Sequence, residues 1–411
     1  MKNSGMGSVA VKRGGLDTRC LDGFRFLLAL WVAVGHFYII IGGPGFWQAP
    51  GVTKLLLSPW AAVDGFMVVT GFLMTYHYLL REAKEPADRL ATGVTFLVRR
   101  LFRLYPVYLL AILAAFFVVS DLYEMRKEIL DYFTGSTLTP FGTESKSEDP
   151  SVTGLLLHLT FLHGLFPAYE SSVLSVAWSL SLEMQFYVLF PVLFAFLFLK
   201  VRSAKLYVFL AAAVVVSEVL LTKYLHGQPA MLLYKLPLFL FGMLAAAAGL
   251  GRIRWITFAM GAVMIVPFQA KFTVLLMGLL MLFLFLNGIR AKVGMGWTKP
   301  LYHVRELLSG RAARWGADLS YSLYLVHLLL LPFILTFFIG QAETVPLSRV
   351  EVALLSFAVF LALSLATALV LYLTIEKPFI SLGKKAVRRM DLLRQSRQRT
   401  AIPPGKEEIS A

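Results

Sequence analysis

Cysteine, charge and the signatures of nucleotide and zinc chemistry are all scarce in this chain, and each scarcity excludes something. One cysteine, Cys20, stands in 411 residues, which removes an intramolecular disulfide framework and a thiolate metal cluster. No apolar stretch precedes it, so a lipoprotein processing site is not expected. The first 23 residues also lack the apolar core of a cleavable signal peptide, and the first hydrophobic span is expected to direct insertion. Only 15% of residues are charged, against about a quarter in a soluble domain. With 58% hydrophobic residues and a mean hydropathy of +0.72, disorder is excluded and an ordinary cytosolic enzyme is disfavoured. There is no GxxxxGK[ST] loop, GxGxxG, HExxH or GxSxG, so nucleotide hydrolysis and zinc chemistry lose their usual marks and no metal is expected. Acidic residues are the scarcer sign, 24 Asp and Glu against 39 Lys and Arg, for a net charge of +15. A nucleic-acid binder spreads such charge over a soluble face. Here it falls between long apolar runs, so nucleic acid is not an expected partner and the lipid bilayer is.

The apolar runs themselves give the fold class: an all-α polytopic membrane protein. A spanning helix needs about 20 mostly apolar residues. Ten stretches qualify, near 24–43, 57–80, 104–119, 178–199, 205–222, 231–248, 253–269, 272–289, 319–340 and 350–373. The third is short and is expected to extend back through Arg100 and Arg103. An apolar piece at 154–166 is too short to span, carries His158 and His163, and reads as re-entrant or interfacial. If the N-terminus is cytoplasmic, 31 of the 39 Lys and Arg fall on the cytoplasmic side, as the positive-inside rule requires. The longest outer loop, 120–177, is acidic, with Asp121, Glu124, Glu128, Asp131, Glu144, Glu148, Asp149 and Glu170. Both termini are therefore expected in the cytoplasm. The chain divides by expectation into an N-terminal segment (1–20), a transmembrane domain (21–380) and a basic tail (381–411) suited to anionic headgroups.

Ionisable residues inside a membrane are costly, so each is a functional candidate. Arg25, His36, Asp64, Glu183, Glu218 and His327 qualify. Arg25 and His36 lie eleven residues apart, within about 20° of three full turns, so they share a helix face, His36 about 16 Å farther along. His36 is either a proton-transfer group or a packed core histidine. Counted from the helix ends, Asp64 and Glu183 fall at a depth comparable with His36, and either carboxylate would orient the imidazole. Glu183 has the alternative of capping a helix start. Arg100 and Arg103, at i and i+3, present two guanidinium forks that suit a phosphomonoester or pyrophosphate; read alone, such a cluster is most often a topology signal.

Taken together, these segments resemble the acyltransferase-3 family of integral membrane O-acyltransferases. The matching stretches are Leu21-Asp22-Gly23-Phe24-Arg25 with His36, Val63-Asp64-Gly65-Phe66 through Leu73, and Arg99-Arg100-Leu101-Phe102-Arg103-Leu104-Tyr105-Pro106. They continue with Ala177-Trp178-Ser179-Leu180-Ser181-Leu182-Glu183 through Tyr187, Leu236-Pro237 through Met243, Leu319-Ser320-Tyr321 through His327, and Ile375-Glu376-Lys377-Pro378. Departures are Thr70 where serine is common, Met184 where a second glutamate usually follows, and Lys377 where arginine is common.

The resemblance implies ten helices in the stand-alone form, located in a bacterial inner membrane. It implies transfer of an acyl group, most often acetyl from acetyl-CoA or another acyl-CoA, to a hydroxyl of a carbohydrate: O-antigen, exopolysaccharide, peptidoglycan or an oligosaccharide. By resemblance Arg25 and His36 map onto the family's first-helix arginine-to-histidine motif and Arg100 and Arg103 onto its cytoplasmic arginine pair. On physical grounds Arg100 and Arg103, joined by Arg25, are expected to bind the donor and His36 to be the catalytic group, oriented by Asp64 or Glu183. The rival reading is a transporter of a lipid-linked sugar or small anion, which accounts for the buried charges but not for the run at 177–187.

Overall fold

The computed structural model describes residues 16–82, 89–136, 151–200, 203–221, 230–293, 296 and 298–400. Most of the expected N-terminal segment, the last eleven residues, and Glu144, Glu148 and Asp149 of the acidic loop lie outside them. Among the described residues there is no strand. The α-helices are α1 (Cys20–Ile40), α2 (Val52–Leu56), α3 (Pro59–Glu82), α4 (Arg89–Thr134), α5 (Val152–Leu159), α6 (Trp178–Ala195) and α7 (Ser203–Val214). They continue as α8 (Leu232–Gly249), α9 (Trp255–Ile265), α10 (Lys271–Val293), α11 (Thr298–Leu308), α12 (Arg311–Thr344), α13 (Arg349–Leu371) and α14 (Lys377–Thr400).

Eight helical runs among the described residues are long and apolar enough to cross a membrane: α1, α3, α4, α6, α8, α10, α12 and the run Arg349–Arg394 that begins with α13. Two shorter apolar helices, Leu206–Glu218 and Trp255–Phe268, lie where the fifth and seventh spans are expected. Their surfaces fit lipid rather than water. Phe117, Val208, Val263 and Leu354 are each more than 60% exposed, and such apolar area is buried in a soluble monomer.

Two features position the site. α4 is 46 residues long, about 69 Å at 1.5 Å per residue, so the third span extends beyond both ends of the stretch read from hydropathy. It takes up Arg100 and Arg103 at one end and the first part of the acidic loop at the other. The second feature is the α3–α8 crossing. A Cβ on Gly71 would strike the backbone of Phe239, and one on Gly242 would strike Val68 and Phe72. The two backbones therefore touch, the close packing that small residues permit between membrane helices.

Position 381, where the basic tail is expected to begin, lies inside a helix. α14 runs through it unbroken, its Val387 only 2% exposed while Leu392 and Leu393 face outward.

Candidate functional site

A cavity of about 330 Å³ opens at the end of the bundle where α1 begins. α1 contributes Arg25, α3 His77 and Thr70, α4 Arg100 and Arg103, α6 Glu183 and Tyr187. All three arginines singled out in the sequence thus meet in one space, although α1 and α4 are far apart in the chain. Four guanidinium groups (Arg19, Arg25, Arg100, Arg103) face two carboxylates (Asp22, Glu183) across it, so the lining carries an excess of positive charge.

Arg25, Arg100 and Arg103 are each held without being used up, whereas Arg19 is paired with Asp17. Arg25 Nη2 lies 3.5 Å from Ser320 Oγ, whose own proton goes to the Ala317 carbonyl, 2.7 Å away. Arg103 Nε stands 4.0 Å from Glu376, a carboxylate 1% exposed that accepts from Ser322 Oγ at 3.0 Å. Arg100 lies over the rings of Phe96 and Tyr187, 5.5 Å from each centroid, a contact that positions a cation and leaves its N–H donors free. Glu183 accepts a hydrogen bond from the Tyr187 hydroxyl and a long one, 3.4 Å, from Thr70. At the rim, Arg19 and then Arg305 hold the Asp17 carboxyl well below the usual carboxylate range, with Arg305 Nη2 3.0 Å away.

His36 is not in this cavity. Its Nδ1 lies 2.9 Å from Nε2 of His327 on α12. His327 is fully buried, and its Nδ1 sits 3.2 Å from the carbonyl of Leu323 one turn back. Between cavity and histidines stands one aromatic layer. Tyr324 lines the cavity with its ring 6.0 Å from His327 and 6.4 Å from Phe66. Its hydroxyl is tied to Ser179 Oγ at 2.7 Å and to the Val176 carbonyl at 3.0 Å.

The expectation that Asp64 or Glu183 orients His36 is corrected by packing. Gly65 lies against Leu28, while Gly35 lies against Leu56 and Pro59. In these antiparallel helices Asp64 is therefore level with about residue 29, some 10 Å from the level of His36 at 1.5 Å per residue. Asp64 is instead paired with Lys235 Nζ at 2.7 Å and accepts from Thr273 Oγ1 at 2.8 Å, and Glu218 is close enough to act on both charges. Glu183 misses His36 for a different reason. The segment before α6 folds inward: Ala177 is fully buried and accepts from His163 Nε2 at 3.1 Å. α6 consequently starts deep in the bundle, and counting from its end misjudges depth. Glu183 joins the arginine cavity instead.

Sequence reasoning flagged His327 as buried and ionisable without giving it a partner, and passed over Lys235, a lone lysine inside a span that the same rule would have caught. Glu376 carried no signal beyond its short motif. Tyr187 and Ser320 carried no signal beyond their place in the matching stretches.

A family model described as an acyltransferase domain matches residues 18–373 of the chain. No curated protein and no solved structure matches it.

Proposed function

The chain belongs to the acyltransferase-3 family, and from that membership and the arginine cavity we propose that it moves an acyl group, acetyl in the simplest case, from cytoplasmic acyl-CoA to a hydroxyl of a cell-envelope or exported carbohydrate. The membrane proposed is a bacterial inner membrane. The single observation that carries the reading is the convergence of Arg25, Arg100 and Arg103 on one cavity that ends one aromatic ring short of the His36–His327 pair.

In this reading the guanidinium groups hold the phosphates of the donor, the task for which bidentate forks are suited. The pantetheine arm extends along α1, and the rise of about 16 Å from Arg25 to His36 suits an extended arm. The Tyr324 layer must part for the thioester to reach His36. There His36 takes the proton of the acceptor hydroxyl as its oxygen attacks the thioester carbonyl. The C–S bond then breaks, and the CoA thiolate leaves and is reprotonated. An acyl-histidine intermediate is the variant of this scheme. Glu183, inside the donor cavity, faces the donor rather than the base, and Asp64 serves the bundle.

The test is acyl transfer from labelled acetyl-CoA by the full-length protein in liposomes, with mass spectrometry of envelope glycans in cells with and without the gene. His36→Ala, in protein that still inserts and accumulates, is expected to lower transfer by about 10²-fold or more, the usual worth of a general base. Undiminished transfer would remove His36 from the mechanism.

A further inference from the structure

Resting on that reading, we propose that His327 is a positioning residue that fixes the tautomer of His36 and leaves His36 Nε2 as the proton-accepting nitrogen.

The argument runs from a backbone carbonyl outward. The Leu323 oxygen can only accept, so the ring nitrogen 3.2 Å from it, His327 Nδ1, carries the proton. The opposite tautomer would set a lone pair against a carbonyl oxygen in a fully buried place, leaving an acceptor without a donor. A neutral imidazole has one donor and one acceptor, so His327 Nε2 accepts. The atom 2.9 Å from it, His36 Nδ1, is then the donor. Two fully protonated rings could not share this contact. The proton on His36 is thereby placed on Nδ1, and Nε2 bears the lone pair. His327 is the one hydrogen-bond partner of His36 among the described residues, Arg126 acts on it only through its charge, and the residue is half-buried, so Nε2 remains available to a hydroxyl.

Nitrogen choice in a catalytic histidine is set by what the other nitrogen bonds, often a backbone carbonyl or a carboxylate. Here both nearby carboxylates are committed elsewhere, Asp64 to Lys235 and Thr273, Glu183 to Tyr187 and Thr70. A neutral imidazole anchored to its own helix takes that place without bringing a formal charge into the membrane. When His36 takes up a proton on Nε2, its Nδ1–H keeps the same acceptor. The relay Leu323 carbonyl to His327 to His36 thus serves both states of the base with no ring flip.

The experiment combines ring ¹⁵N shifts of histidine-labelled full-length protein in nanodiscs with kinetics of two variants. The spectrum should show His36, identified by the signals missing in His36→Ala, protonated on Nδ1 and bare on Nε2. His327→Ala should lower kcat by roughly 10²-fold or more while KM for acetyl-CoA stays within about 3-fold, because orientation of the base is lost and the donor cavity is not. His327→Gln puts an amide oxygen where Nε2 was and should restore most of that loss, to within about 10-fold of the native rate. A His36 protonated on Nε2, a His327→Ala variant with unchanged kcat, or equal losses in the Ala and Gln variants would each overturn the relay. If the native protein transfers no acyl group, the proposed function falls, and the spectrum still decides the tautomer.

Discussion

Two charged clusters lie within the membrane-spanning bundle, and they are built on opposite principles. Around Asp64 the charges are matched and closed: Lys235 faces it directly, Thr273 donates to its second oxygen, and Asp64 is 3% exposed. Around Arg25, Arg100 and Arg103 the cations outnumber the carboxylates and open on a cavity, each held by a weak contact such as a hydroxyl at 3.5 Å, an ion pair at 4.0 Å or an aromatic face. Burial of charge is costly in both places. In the first the cost is met by an internal partner; in the second the excess is left facing a space that a ligand can enter. Ionisable residues inside a membrane are thus not one class, and the state of their partners separates scaffold from site.

Breaking the closed cluster should give the largest effect on folding. Lys235→Met leaves Asp64 buried and unpaired and is expected to destabilise the protein by about 3–5 kcal/mol, read as a lower melting temperature in detergent and poor accumulation. Adding Asp64→Leu to it should recover most of that loss, since a matched pair replaced by apolar groups is often neutral. A double variant as unstable as the single one would show that Asp64 has a role beyond the pair. In the open cluster the pattern should invert. Arg100→Ala and Arg103→Ala should each weaken acetyl-CoA binding by about 10- to 100-fold, the worth of one or two charged hydrogen bonds, with melting temperature nearly unchanged. Unchanged donor affinity by calorimetry would reduce them to topology signals. Glu376→Gln removes the counter-ion of Arg103 and should tighten donor binding by about 2- to 3-fold at low salt, an effect that shrinks as salt screens it. The smallest change is expected at the rim. Asp17, with its carboxyl lowered by Arg19 and Arg305, contributes stability that is present above the unfolded carboxylate value near 3.9 and is lost as pH falls below it toward the lowered folded value. Asp17→Asn should flatten that acid limb in thermal scans between about pH 5 and 2.

Helical fold class and the positions of the apolar helices were legible because hydropathy over 20 residues reports directly on burial in lipid. The shared face of Arg25 and His36 was legible because helical phase is arithmetic. Depth was not. It depends on which residues of neighbouring helices touch, and Gly35 and Gly65 fix that only in the folded bundle. Glu183 fails as a depth marker because the chain just before α6, Ser172–Leu174 with Val176 and Ala177, is already buried in the bundle, a tertiary event with no periodicity to announce it. His36 and His327, 291 positions apart, meet only because α1 and α12 are adjacent, and nothing local in either helix names the other.

The inward reach of the cavity has an electrical consequence. The cavity at the α1 end reaches Tyr324, and if solvent fills it the insulating layer at the histidines is thinner than a bilayer's hydrocarbon core of about 30 Å. Any membrane voltage therefore drops over a shorter path there, and its gradient is steeper than across the surrounding lipid. In the proposed reaction an acyl group would cross that layer uncharged and would not sense the gradient. A proton leaving His36 in that scheme would sense it, at up to about 2.3 kcal/mol per 100 mV if it traversed the whole drop, so the direction of its departure would couple turnover to the energised state of the membrane.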